Sequence, residues 1–163
     1  MKATVILDNL KNGISFAHHG VSGKAQLPIL LNFLLQAKDG NLYVSSTDLE
    51  IGIIAKIPAK IEEDGETTVP AKTFSELISI LPIGKITLET KENGLELTGD
   101  KIKTVFQTTK AEEFPKLYES KGEEIMVMDK HLMGKGLAKV VFAASQDQTR
   151  PALSVILIKE VEE

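Results

Sequence analysis

The stretch LPILLNFLLQAKDGNLYVSSTDLEI, Leu27 to Ile51, decides how the rest of the chain is read. Its apolar run from Ile29 to Ala37 leads into Asp39-Gly40, and an extended run from Leu42 to Ser46 follows. Asp-Gly between two β-rich runs marks a tight hairpin, because primed turns need positive φ at their centre. Thr47-Asp48-Leu49-Glu50 then turns the chain into a third run, Ile51 to Ile57. Three strands are predicted between Leu30 and Ile57, and a charged loop from Pro58 to Gly65.

Before this stretch, Lys2 to Leu7 reads as a strand and Asp8 as a helix N-cap. Leu10, Ile14, Ala17 and Val21 recur at helical spacing, and Gly20, Ser22 and Gly23 end that helix. Gly13 inside it either costs about 1 kcal/mol against Ala or marks close packing on a neighbour. After the stretch come a short strand, Thr67 to Pro70, and a helix, Ala71 to Leu81, with Phe74, Leu77, Ile78 and Leu81 on one stripe. Pro82 and Gly84 stop the helix. Three strands follow: Lys85 to Thr90, a run around Leu95 and Leu97, and Ile102 to Thr108. Glu92-Asn93-Gly94 and Gly99-Asp100 turn the chain between them. Glu112 to Gly122 reads as a linker around Phe114-Pro115.

The pattern then restarts. Glu124 to Met128 reads as a strand, Asp129 as an N-cap, and Lys130 to Ser145 as a helix with Leu132, Leu137, Val140, Val141 and Ala144 apolar. Gln146 to Arg150 is a loop and Ala152 to Lys159 a strand. The order is β-α-β-β-β twice, then β-α-β. The units start near Lys2, Glu66 and Glu123, a period of about 60 residues, and repeats of such length build stacked or ring-like architectures. The expected class is α+β, with one domain over residues 1–117 and part of a second over 118–163.

With 42% apolar and 26% charged residues, the 163-residue chain has the composition of a globular protein rather than a disordered one. It holds no cysteine, which excludes disulfides and thiolate metal sites and fits a reducing compartment. No secretory pattern opens the chain, and no apolar run approaches the roughly 20 residues that span a bilayer. A cytoplasmic protein with no membrane contact is expected. The formal net charge of -4 argues against a simple basic nucleic-acid binder. The acidic residues nevertheless gather at Glu62-Glu63-Asp64 and Glu160 to Glu163, while several lysines fall on predicted helices, so one basic face is compatible with the sum.

Catalytic signals are weak. His18 and His19 are adjacent and diverge by about 100° on a helix, so they make a poor metal pair. His131 stands alone. Asp48 and Glu50 would share a face of a strand, and a hydrolytic carboxylate pair is one reading of them; solvated or capping groups are the other. Gly134-Lys135-Gly136 is too short for a phosphate-cradling loop. No catalytic residue, metal ligand or cofactor is expected.

Leu27-Pro28-Ile29-Leu30, Thr47-Asp48-Leu49-Glu50, Thr68-Val69-Pro70-Ala71 and Phe114-Pro115, set in a repeated β-α-β-β-β unit, resemble the bacterial DNA polymerase III beta subunit, the sliding clamp. Phe142-Ala143-Ala144-Ser145 and Arg150-Pro151-Ala152-Leu153 look like the start of that family's second domain. The resemblance runs over essentially the whole chain. It implies the DNA-clamp fold, with helices on one side of antiparallel sheets. It also implies a non-enzymatic processivity factor: a head-to-tail homodimeric ring around double-stranded DNA, held without regard to sequence. The polymerase III catalytic subunit and the clamp loader would dock through short linear motifs. The chain holds one such domain and part of the next, so it looks like a partial clamp. Ser154-Val155 stands where the family often has a glycine.

The resemblance also carries residues over. Lys24 and Lys72 become the foremost DNA contacts and Arg150 a weaker one, with Lys11, Lys135 and Lys139 as further lysines off the apolar stripes. The alternative is that these are ordinary solvated side chains. Arg150 and Leu153 match positions of the partner-peptide pocket, Leu153 being also compatible with plain core. Phe106 and Ile78 match the subunit interface, and Phe106 reads equally as core. A clamp-like scaffold that binds only proteins is the competing function.

Overall fold

The Asp39-Gly40 hairpin forms as read. Asp39 (φ 51°) and Gly40 (φ 70°) both take positive φ, the two-residue primed turn that an Asp-Gly pair favours. The hairpin joins β2 (Asn32–Lys38) to β3 (Asn41–Thr47) in the computed structural model, which describes residues 1–21, 27–117, 127–145, 147 and 149–159. The chain divides into two compact units, Met1–Tyr118 and Glu119–Glu163.

In the first unit, β1 (Lys2–Ile6), α1 (Leu7–Ala17), β2, β3 and β4 (Gly52–Glu63) make one repeat. β5 (Gly65–Pro70), α2 (Ala71–Ile80), β6 (Lys85–Lys91), β7 (Gly94–Thr98) and β8 (Lys103–Phe106) make the other. The antiparallel sheet runs β5-β2-β3-β4-β1-β6-β7-β8. The repeats therefore exchange their first strands: β5 joins β2-β3-β4, and β1 joins β6-β7-β8. Neither repeat completes its half of the sheet alone.

β4 stitches the halves together. Gly52 to Pro58 pairs with β3, and Ala59 to Glu63 pairs with β1. The expected loop from Pro58 to Gly65 is thus the second half of a 12-residue strand. Pro58 falls where the ladder changes partner, a place where a missing N–H is tolerated. Two boundaries also differ from expectation. Asp8 sits inside the first turn of α1, with Ile6 at the N-cap and no side-chain cap. Pro28–Leu31 is a 3₁₀ turn that leads into β2.

The core lies on one face of the sheet. Phe33, Leu35 and Ala37 of β2, Leu42 and Val44 of β3, and Leu88, Leu95 and Leu97 of β6 and β7 pack with Leu7, Leu10 and Ile14 of α1 and Phe74 and Ile78 of α2. Gly13 is there because α1 lies close on β4: a Cβ at this position would stand 2.7 Å from Ile57 Cγ1. Gly94 (φ 124°) is required twice over, since a Cβ there would also collide with the Phe106 carbonyl.

The opposite face is a charge-paired surface. Lys2 bridges Glu62 at 3.2 Å and Glu89 at 4.0 Å, Lys60 reaches Glu62 at 3.4 Å, and Lys91 pairs with Glu89. The bond from Lys2 and its charge hold the Glu62 carboxyl below its ordinary value. The bond from Lys91 does the same for Glu89. Lys38 and Lys56 lie over the Tyr43 ring at 5.1 and 6.0 Å. After β8 a strap of chain returns to the sheet. It bonds Thr68 through Thr109, buries Phe114, and sets Leu117 against Gly52.

In the second unit, Asp129 caps α3 (Lys130–Val140) as read, its Oδ1 accepting the N–H groups of His131 (2.9 Å) and Leu132 (3.0 Å). The helix gives way to a 3₁₀ turn, Val141–Ala143, before the expected end at Ser145. The strand expected from Ala152 to Lys159 is a 3₁₀ turn, Pro151–Leu153, followed by irregular chain. A strand exists only where a neighbour completes its ladder, and this segment has none among the described residues. The strand expected from Glu124 lies outside the described residues up to position 126, and Val127 and Met128 are irregular. Among the described residues of this unit no side chain is buried; Leu132, Phe142, Val155 and Leu157 are all exposed.

Candidate nucleic-acid interface

Among the described residues of the first unit, the ion pairs lie on the sheet and not on the helix face. α1 and α2 flank a groove of about 1520 Å³ lined by Ile14, Val21, Leu27 and Ile78 together with Ser15, His18, His19, Lys11 and Lys72. The amphipathic spacing of both helices puts these polar positions outward once Leu10, Ile14, Phe74 and Ile78 face the sheet.

The lysines differ in what they can offer. Lys11 Nζ donates to the Leu81 carbonyl at 2.7 Å, at the C-cap of α2, where the helix dipole favours a cation. That ammonium ties the two helices together. Lys72, in the first turn of α2, is exposed and makes no hydrogen bond or ion pair among the described residues. It belongs to the first turn of a helix whose start lacks a side-chain cap, where the helix carries partial positive charge. That combination suits a phosphate. Lys24 lies outside the described residues.

In the second unit Lys135 and Lys139 are exposed four residues apart, and so share a face of α3. Arg150 is exposed, and its carbonyl accepts the Leu153 N–H at 2.9 Å. Leu153 is exposed rather than core, and its carbonyl accepts the Ser145 N–H at 2.8 Å. Each unit presents its own cations; Lys72 and Arg150 belong to different units.

Ile78 (1% exposed) and Phe106 (7%) are turned into the core of the first unit, Phe106 edge-on to Phe74 with centroids 5.3 Å apart. Among the described residues the outer edge of β8 has no ladder partner, and Val105 on it is exposed. Asp48 braces the β3–β4 turn: its Oδ1 accepts from the N–H groups of Glu50 (3.0 Å) and Ile51 (2.7 Å), and Leu49 there takes φ 79°. Its carboxylate is occupied in holding the loop. Among the described residues no His, Asp and Glu cluster could hold a metal, and no helix is long and apolar enough to cross a membrane.

An all-antiparallel sheet built from two strand-exchanged β-α-β-β-β repeats, with both helices on one face, has the architecture of a clamp domain. A family model described as DNA polymerase III beta subunit, N-terminal domain, matches residues 1–118, and the chain belongs to that family. A beta sliding clamp of Synechocystis is 30% identical over 168 residues, covering 98% of this chain and 43% of that protein. The solved pol III beta of Caulobacter crescentus superposes with a TM-score of 0.86 at 28% identity, over 94% of this chain and 42% of that one. The Thermotoga maritima DNA polymerase III beta subunit gives 0.83 at 30% identity, over 91% and 41%. The chain thus spans less than half the length of these three proteins.

Proposed function

We propose that residues 1–117 are the first domain, and residues 118–163 the opening part of the second, of a DNA sliding clamp. Such a protein encircles duplex DNA, reads no sequence, and tethers a replicative polymerase, with no catalytic step of its own. The observation that carries the reading is the division of labour between the two faces of the sheet. One face carries ion pairs, and the helix face offers Lys72 with no side-chain partner among the described residues. A clamp must hold phosphates without seizing bases, and a hydrated ammonium on a long stem does this.

In this reading Lys24 and Lys72 contact the duplex first, with Lys135, Lys139 and Arg150 following from the second unit. Lys11 contributes chiefly by fixing the helix pair. The free edge of β8 is the head-to-tail subunit contact, with Phe106 and Ile78 supporting it from the core side. Arg150 and Leu153 belong to the pocket that takes short linear motifs of the polymerase III catalytic subunit and the clamp loader. The site of action is the cytoplasm, where the chromosome lies.

The test is a salt titration of duplex binding by the 163-residue chain and by Lys24→Ala/Lys72→Ala. Loss of two phosphate contacts should flatten the log–log slope by about 1.8, at roughly 0.9 per contact, equally for unrelated sequences. An unchanged slope rejects the DNA-facing role and favours a scaffold that binds proteins only.

A further inference from the structure

β8 is a four-residue strand whose only ladder partner among the described residues is β7. A strand so short, on an open edge, is expected to fray. Beyond that ladder, two contacts from the β5–α2 segment hold its C-terminal end and the chain just after it. The first is the Phe106–Phe74 ring contact. The second lies three residues on. The Thr109 N–H donates to Thr68 Oγ1 at 2.9 Å, and the Thr68 hydroxyl donates to the Thr109 carbonyl at 2.7 Å.

Thr68 is placed unusually for this task. Its ladder partner is Leu34, while its neighbours Thr67 and Val69 pair with the core residues Leu35 and Phe33. By strand alternation Thr68 points away from the core, yet it has no exposed surface, because the strap covers it. One hydroxyl spends its donor and an acceptor site on the backbone of a single residue, as a ladder neighbour would.

We infer that Thr68 is a positioning residue for subunit association. It latches residues 107–110 and so keeps the β8 edge extended for an incoming strand of a second subunit. The inference rests on the proposed role of that edge. An edge already ordered loses less freedom on docking, so the latch strengthens association without touching the partner.

Hydrogen exchange on the 163-residue chain tests it, with Thr68→Val removing the hydroxyl at nearly constant shape and Thr68→Ser keeping it. Amides of residues 103–109 should exchange roughly tenfold faster in Thr68→Val, as expected for loss of a net hydrogen bond or two, while β1 and α1 stay unchanged and Thr68→Ser stays near wild type. Unchanged exchange at 103–109, or a uniform rise across the first unit, overturns the latch. A second arm adds a synthetic peptide of alternating valine and threonine as an extended-strand probe of edge pairing, because in a head-to-tail contact the strand that meets β8 is not β8 itself. The wild-type edge should gain protection, and Thr68→Val should need roughly tenfold more peptide for the same effect. Faster exchange in Thr68→Val, with no protection by peptide in either protein, would leave the latch standing but overturn its docking role and the edge reading on which that rests.

Discussion

Replacing Gly13 by alanine sets two effects of opposite sign against each other. Alanine is favoured over glycine inside a helix by about 1 kcal/mol, and on a solvent-facing turn that gain would be realised. Gly13, however, is buried on β4. The new methyl carbon would lie 2.7 Å from Ile57 Cγ1 and closer still to Cδ1, with Ala55 Cβ at 3.6 Å. Ile57 is itself 2% exposed and sits mid-strand in the one element that joins the two halves of the sheet, so it has little room to withdraw. Overpacking of this kind costs about 1–3 kcal/mol, and with two contacts inside 3.0 Å the upper half applies. The net expectation is a loss of roughly 1–2 kcal/mol once the propensity gain is subtracted. Ile57→Val removes the nearer atom and alone costs about 0.5–1.5 kcal/mol. The double variant should therefore be more stable than the sum of the singles by about 1 kcal/mol. Urea unfolding followed by circular dichroism measures all four proteins. Stabilisation by Gly13→Ala, or strict additivity in the cycle, would refute the close-approach account.

Lys11 and Lys72 should separate cleanly. Lys11→Met should lower stability by about 1–2 kcal/mol through loss of the charged bond to the Leu81 carbonyl, whereas Lys72→Ala should leave unfolding unchanged and alter only DNA retention. Equal effects of the two on stability would contradict this. At the β3–β4 turn, Leu49→Gly should raise stability by about 1 kcal/mol or more by relieving a left-handed leucine, and Asp48→Ala should lower it by about 1 kcal/mol; thermal unfolding reads both. The carboxyls of Glu62 and Glu89 are held below 4.5 in the folded chain, so their contribution is present above that pH and lost as pH falls through the lowered values. Lys2 is raised above 10.5 by the bond to Glu62 and the charge of Glu89, so its share is lost as pH rises past that value. Lys2→Met should flatten both limbs of a stability-against-pH curve, and an unaltered acid limb would show that other carboxylates carry it.

The local half of the fold was legible. The Asp-Gly turn, the α2 stripe on Phe74 and Ile78, and the Asp129 cap are set by neighbours in sequence, and each forms where read. Pairing between distant strands left no local mark. Nothing near Lys2 says that β1 will lie between β4 and β6, so the exchange of first strands between repeats appears only in the sheet. Pro58 hid the second half of β4, although the apolar alternation Ile57, Ala59, Ile61 continued past it and could have flagged a strand. The opposite error occurred at Val155 and Leu157, where a period of two suggested a strand that the described chain has no ladder to support. For the interface, periodicity placed Lys11 and Lys72 alike on outward helix positions. Only the approach of Leu81 distinguishes the one from the other.

The helix face, and not the charge-paired face, is expected to meet the duplex. The chain has no cysteine, so single cysteines can carry a photo-crosslinker without background. Ser15→Cys and Ser79→Cys place it along the α1–α2 groove, and Lys56→Cys and Lys60→Cys place it on the opposite face of β4. Crosslinking to a random-sequence duplex at low salt should occur from the two groove positions and fade with added salt. Crosslinks from positions 56 and 60 at equal or greater yield would contradict the account.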